Sequence, residues 1–211
     1  MRFGRKTRSD DDVVDDVEVD EEPRTGPFDA DDLPEDGIER VDLGSLLIAP
    51  EDGRELRLQV DEASGQVQSV MLAGSDGALE IRAFAAPRNG DLWSEVRPQI
   101  AAEMSQRGGT ATEREGRFGT ELVCQLTVKK PEGGTAIQPS RIVGINGPRW
   151  LLRATLLGKP ALEVDDDDSA WLDSLEQVAV RRGAHALPVG EPLPLELPEQ
   201  ARRLTPPDAT S

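Results

Sequence analysis

The chain has 211 residues and a formal net charge of −17, because 41 acidic residues outnumber 24 lysines and arginines. This length corresponds to about one domain with additional tails. One His, one Cys and no Tyr leave few side chains for general-base, thiolate or metal chemistry. A single cysteine cannot form an internal disulfide, and no run of about 18 apolar residues occurs, so we predict a cytoplasmic protein without a membrane span.

The first 36 residues contain most of the charge. Residues 10–36 hold 14 acids and one base, Arg24, whereas residues 1–9 hold four bases. Dense like charge with few apolar residues cannot offset the entropy of ordering, so we predict a disordered basic-then-acidic tail over residues 1–36. Two interpretations stay open: a solubilising extension, or an acidic interaction segment that mimics nucleic-acid charge towards a basic partner.

Four short strands are predicted next. Leu43–Ala49 is an apolar run, residues 54–60 alternate polar and apolar side chains, and turns at glycines lead into residues 66–73 and 78–85. Alternation with period 2 and short connections are typical of antiparallel strands. The first half of the domain is therefore predicted to be a four-stranded meander.

A helix and a second set of strands follow. Apolar residues recur every three or four positions from Leu92 to Met104, and Asp91 is a suitable N-cap. Further strands are predicted over 110–115, 121–128, 139–145 and 149–157, before a last helix over Ser169–Val180. The pattern predicts an α+β fold, in which an antiparallel sheet of about seven strands packs against two helices.

The last 25 residues are rich in proline. Proline blocks both helices and sheet hydrogen bonds, so residues 187–211 are predicted to be extended. The alternation of Leu193, Leu195 and Leu197 favours packing along the domain surface over a free segment that binds a partner. A single domain is then predicted over residues 37–186.

No pattern identifies a catalytic residue, a cofactor site or a metal site. Asp165–Asp168 lacks the spacers and the glycine of a calcium loop, and acids before a helix are explained by capping. His185 has no neighbouring ligand residues, and Cys124 alternates with apolar residues as a buried side chain does. Walker and dinucleotide-binding motifs do not occur, so we predict no cofactor.

Arginines are the candidate binding residues. Arg82, Arg141, Arg149 and Arg153 fall in or beside strands of the same predicted sheet. In an extended strand Arg149 and Arg153 point to one face, which would place two guanidiniums in line. This face is either a solvated polar surface or a groove for an anion or acidic peptide, which the Asp-rich tail of the chain itself could occupy.

The order of elements, and above all the sequence Gly147-Pro-Arg-Trp-Leu-Leu-Arg153, resembles an actinobacterial domain family of unknown function, the DUF3710 type. The resemblance covers residues 3–186 and implies a soluble cytoplasmic protein without an established activity, so no catalytic residue is transferred. The order of strands and helices is also similar to the Mog1/PsbP-like α/β sandwich, whose members mostly bind partners.

These observations predict a non-enzymatic protein-binding or regulatory module. Its partner would be a protein rather than nucleic acid, because the folded part is itself net negative, and rather than a membrane. One alternative is an enzyme with Glu80 and Glu121 as a carboxylate pair and Arg153 as anion stabiliser. The other is an acidic charge mimic that acts on a nucleic-acid-binding protein. The sequence leaves the partner and the oligomeric state open.

Overall fold

The computed structural model describes residues 25–131, 133–165 and 169–198. Within these ranges the strands are β1 (Phe28–Asp29), β2 (Val41–Asp42), β3 (Leu46–Ile48), β4 (Glu55–Val60), β5 (Val67–Ala73), β6 (Gly77–Ala85), β7 (Thr110–Gly116), β8 (Gly119–Lys129), β9 (Thr135–Gly147), β10 (Trp150–Gly158) and β11 (Ala179–Val180). The helices are α1 (Leu92–Gln106) and α2 (Ala170–Glu176), with short 3-10 turns at Ala30–Asp32 and Lys159–Ala161.

The strands form two sheets. The large sheet has the order β4-β5-β6-β10-β9-β8-β7 and is antiparallel throughout. The small sheet has the order β1-β11-β3-β2, in which β1 and β11 are parallel. The predicted α+β fold is confirmed, and the small sheet is an addition that the sequence did not indicate.

The central strand β10 directs its side chains alternately to the two faces of the large sheet. Trp150, Leu152, Ala154 and Leu156 are fully or almost fully buried. They belong to the main core, together with residues of β3 and helix α2. The small sheet and α2 therefore cover this inner face of the large sheet.

Helix α1 packs on the outer face, on the half formed by β7, β8 and β9. Trp93 holds it there: its indole lies against Gly144, where a Cβ atom would overlap the ring. The Trp93 Nε1–H also donates to the Thr120 carbonyl at 2.6 Å. Trp93 is thus a core residue that fixes the position of the helix on the sheet.

Two predicted elements differ from the structure. Leu46–Ile48 pairs with β2 and β11 and not with β4, so the four-stranded meander prediction is wrong in its first strand. The side chains of Leu46 and Ile48 are buried in the main core. This strand therefore belongs to the small sheet, which covers the inner face of the large sheet. The last helix ends at Glu176, because Ala179–Val180 form a strand between β1 and β3.

The folded unit extends beyond residues 37–186. At the start, Asp29 of β1 accepts a hydrogen bond from Trp150 Nε1 at 2.8 Å. At the end, Leu193 donates its backbone N–H to Ala83 and is only 3% exposed, whereas Leu197 is 52% exposed. The proline-rich segment therefore packs beside β6 through Leu193. Residues 1–24 and 199–211 of the predicted tails lie outside the described residues.

A buried ion pair lies on the inner face. Arg141 of β9 and Glu121 of β8 are each 1% exposed, and Arg141 Nε is 2.7 Å from Glu121 Oε1. The guanidinium of Arg114 adds a second contact at 3.4 Å. Gly116 leaves room for the carboxylate, since a Cβ there would come within 2.7 Å of it. Such a pair is costly to break, because each partner alone would be a buried charge.

We predict that Arg141→Met lowers the free energy of unfolding by about 3–5 kcal/mol, because it removes a main partner of the buried Glu121 carboxylate. Urea denaturation measures the change. The double variant Glu121→Leu/Arg141→Met is the control, and we expect it to lose less stability than the two single losses added together. An unchanged unfolding midpoint in Arg141→Met would contradict this role.

The N-cap of α1 gives a pH-dependent prediction. The Asp91 carboxylate accepts hydrogen bonds from Ser94 N at 3.0 Å and from Asn146 Nδ2 at 2.6 Å, and the bonds from Ser94 lower the pKa of Asp91 from its ordinary value of 3.8. The stabilisation is therefore present above that value and is lost as pH falls through the lowered pKa.

We expect Asp91→Ala to lower the free energy of unfolding at neutral pH by about 1 kcal/mol. Asp91→Asn keeps an acceptor that does not titrate, so it should retain most of the stability with a weaker dependence on acid. Thermal unfolding between pH 2 and pH 7 distinguishes the three proteins. Equal acid sensitivity of the wild type and Asp91→Asn would rule out this contribution.

Candidate functional site

The structure brings two of the four predicted arginines together and separates the other two from them. Arg82 of β6 and Arg153 of β10 are directly opposite each other in the antiparallel register. Arg141 lies on the inner face, paired with Glu121. Arg149 is exposed in the turn between β9 and β10. The candidate site is therefore the pair of Arg82 and Arg153 on the outer face, which we call the arginine pair.

The arginine pair shares one aromatic ring. The guanidinium carbons of Arg82 and Arg153 lie 5.5 and 5.0 Å from the centroid of the Phe84 ring. Directly opposite residues have Cβ atoms about 5 Å apart, so the two guanidiniums are neighbours. Their attraction to the ring is a cation–π interaction, which does not neutralise their charge.

Neither guanidinium has a carboxylate partner among the described residues. Other arginines form ion pairs with N–O distances within 4.0 Å, for example Arg97 with Glu113. Arg82 and Arg153 form none with the described residues. The Nε–H of Arg82 is buried and has no hydrogen-bond acceptor in the described part of the chain. Burial, and after it the charge of Arg82, lower the pKa of Arg153. The pair is thus a partly desolvated positive site without a bonded counter-charge.

Acidic and apolar side chains border the arginine pair without contacting it by ion pairs. Attraction to the carboxylates of Glu80 and Glu103 partly opposes the lowering of the pKa of Arg153. Glu80 lies opposite Thr155 on one side and Met71 on the other. Glu80, Met71 and Thr155 are half-buried on the sheet, whereas Glu103 is exposed on α1. The apolar side chains suit an apolar group of a ligand, whereas the two carboxylates restrict its anionic groups to the guanidiniums.

The backbone of Arg149 has a structural role in the turn between β9 and β10. It adopts a φ of 63° directly after Pro148, a turn position that usually holds glycine or asparagine. Its carbonyl accepts hydrogen bonds from Ala86 N at 2.9 Å and from Arg182 Nε at 3.1 Å. These two bonds hold the turn that precedes β10, and the side chain lies apart from the arginine pair.

The predicted carboxylate pair for an enzyme is not assembled. Glu80 lies on the outer face with Arg153, because both alternate in phase with Phe84 along the paired strands. Glu121 lies on the inner face and binds Arg141. The sheet separates the two carboxylates, so Glu80 and Glu121 cannot act on one substrate together with Arg153.

A groove of about 610 Å³ lies at the small sheet and includes the single histidine. Asp42, Ser45 and His185 all line it, which raises the question of a catalytic triad. The Ser45 hydroxyl is buried and has no hydrogen-bond partner among the described residues, and the Asp42 carboxylate accepts from Arg181 at 2.9 Å. A nucleophile needs a hydrogen bond to its base, so these three residues do not form a triad.

Cysteine and metal chemistry find no further support in the described ranges. Cys124 is 1% exposed, and burial raises the pKa of its thiol. No group of three His, Cys, Asp or Glu side chains is placed there to hold a metal ion. Of the acidic run before α2, only Asp165 belongs to the described residues. None of the described helices is long and apolar enough to cross a membrane.

Sequence reasoning missed two contributors to the site, Phe84 and Glu103. The sequence contains a signal for Phe84, since it follows Arg82 by two residues in an alternating strand and must share its face. Glu103 carries no such signal, because its effect on the pKa of Arg153 depends on how α1 packs on the sheet.

The absence of a bonded counter-charge gives a prediction for stability. A double-mutant cycle of Arg82→Gln and Arg153→Gln should show an unfavourable coupling of about 0.2–1 kcal/mol, because like charges directly opposite in a sheet repel each other. Added salt should reduce it. The control is the same cycle for Arg97 and Glu113, which are 2.8 Å apart and should couple favourably. A favourable coupling between Arg82 and Arg153 would contradict the description of the site.

One family of proteins matches this chain over nearly the whole of the described fold. The model of a family described as "Protein of unknown function (DUF3710)" matches residues 26–204. No curated protein matches the chain. The matched range begins just before β1 and includes both sheets, both helices and the arginine pair. The resemblance seen in the sequence is thereby confirmed, and the chain belongs to the DUF3710 family of proteins of unknown function.

Proposed function

We propose that the protein is a non-enzymatic cytoplasmic binding module that recognises an acidic segment of a partner protein with Arg82 and Arg153. The observation that carries this proposal is the arginine pair itself, two adjacent guanidiniums without a carboxylate partner among the described residues. Placing like charges opposite each other destabilises the free protein. A bound carboxylate removes this repulsion and gains charge-assisted hydrogen bonds.

The shape and surroundings of the site favour a protein segment over a small anion. The arginine pair lies on a half-buried sheet face and not in an enclosed cavity, so a ligand can extend along it. Phe84 offers apolar surface beside the charges, and Met71 offers more on the neighbouring strand, opposite Glu80. A segment with alternating acidic and apolar residues would satisfy both the guanidiniums and these side chains.

Nucleic acid and catalysis are less well supported. The net charge of −17 repels a polyanion as long as nucleic acid, whereas a short acidic segment needs only a local positive site. Neither guanidinium is hydrogen-bonded to a described nucleophile or general base. The arginine pair can therefore hold an anion in place, but the residues that contact it supply no proton transfer.

Fluorescence anisotropy with a labelled peptide of alternating glutamate and valine tests the proposal. We expect the full chain to bind it at low salt, and Arg82→Gln/Arg153→Gln to weaken binding about tenfold or more, the effect of losing about 1.4 kcal/mol. Arg88→Gln/Arg181→Gln is the control with the same charge change. Both of these arginines are exposed, and Arg181 is already paired with Asp42 at 2.9 Å.

Two results would overturn the proposal. Equal weakening in the test and control variants would mean that only net charge matters. Retention of full affinity in Arg82→Gln/Arg153→Gln would move recognition to another surface. A peptide in which glutamine replaces glutamate should not bind in either case, which separates charge recognition from apolar adhesion.

A further inference from the structure

The occupant of the arginine pair in the isolated protein is a separate question. We propose that residues 10–22 of the same chain dock on Arg82 and Arg153 and compete with the external partner. This inference rests on the proposed function, because it assigns a second ligand to the same site. It turns the acidic segment into an intramolecular competitor that sets the apparent affinity of the module.

Charge complementarity is the first argument. Residues 10–22 hold nine acids, four valines and no base. The arginine pair offers two guanidiniums without a carboxylate partner in the described ranges, beside the apolar ring of Phe84. Six other arginines form ion pairs with acids of the fold, namely Arg40, Arg54, Arg57, Arg97, Arg117 and Arg181. Arg88, Arg107 and Arg149 are exposed to water, and Arg182 donates to two backbone carbonyls. An acidic segment therefore gains most at the arginine pair.

The acidic segment is also long enough to reach the arginine pair. The described chain begins at Thr25, beside Gly26, which approaches the Glu176 carbonyl. Four residues later, the Asp29 carboxylate accepts a hydrogen bond from Trp150, which precedes Arg153 on β10 by three residues. The path from Thr25 to Arg153 has three parts, along β1, around the end of the large sheet and along β10, and each part is on the order of 10 Å long. An extended chain covers about 30 Å from Thr25 to Asp16 and about 50 Å to Asp10.

Tethering makes docking within one chain favourable. A segment joined to its site by a short linker has an effective concentration on the order of millimolar. Docking between two copies has no such advantage at micromolar protein concentration. Weak contacts to two arginines are then sufficient for occupancy within one molecule, while an external segment with higher affinity still displaces it.

The test compares full-length proteins that differ only in charge. In the neutralised variant all nine acids of residues 10–22 are changed to Asn or Gln. We expect it to bind the labelled glutamate–valine peptide at least about tenfold more tightly than the wild type, because the competitor is removed. Adding Arg82→Gln/Arg153→Gln should abolish this gain, since the competitor acts only at that site.

A control separates docking from general repulsion, since the neutralised variant is also less negative. In the control variant nine exposed acids elsewhere are changed in the same way, namely Asp31, Asp32, Glu35, Glu39, Asp52, Glu62, Asp76, Glu163 and Asp165. We expect this variant to bind the peptide much less tightly than the neutralised variant, although their net charges are equal. Equal affinities of the two would overturn self-docking.

The remaining outcomes distinguish this inference from the proposed function. If the wild type and the neutralised variant bind equally, and both lose binding with Arg82→Gln/Arg153→Gln, self-docking is wrong and the proposed function stands. If no protein loses binding with that double change, both are wrong. Sedimentation of the wild type at several concentrations completes the test, because self-association that the neutralised variant lacks would show docking between copies and overturn the intramolecular proposal.

Discussion

The pairing register of β6 with β10 is the constraint on which the site depends. A shift by one residue would turn Trp150, Leu152 and Leu156 from the main core towards the outer face. Burial of each such side chain stabilises the fold by about 1.5–3 kcal/mol, whereas repulsion between opposite like charges costs about 0.2–1 kcal/mol. The core therefore holds Arg153 opposite Arg82 despite the repulsion between them.

The same residue type has three different roles in this sheet. Arg141 is internal, and its charge is matched by Glu121 where water is excluded. Arg149 holds a turn through its backbone carbonyl. Among the arginines of the large sheet that the structure describes, Arg82 and Arg153 combine partial burial with the lack of a carboxylate partner. Charge that is neither matched nor fully solvated is the feature that a binding module can use, because a ligand supplies the compensation.

Local patterns in the sequence predicted the elements whose form depends on neighbouring residues. Helix α1 with its Asp91 cap, the polar edge strand β7 and the strands β9 and β10 were all predicted near their actual positions. The place of β3 in the small sheet and the two-residue strand β11 were not, because partners distant in the chain determine them. The buried position of Arg141 was also missed. Alternation along a strand shows which residues share a face, but not which of the two faces is buried. The likeness to the Mog1/PsbP sandwich stays a prediction.

We propose that Arg82 and Arg153 together receive an acidic ligand. NMR spectroscopy of the arginine Nε–Hε groups in the full chain, during titration with the glutamate–valine peptide, observes these groups directly. We predict that the signals of Arg82 and Arg153 shift together and saturate at the same peptide concentration, since one ligand contacts both guanidiniums. Unchanged signals of Arg82 and Arg153, while those of exposed arginines such as Arg88 and Arg181 shift, would contradict this inference.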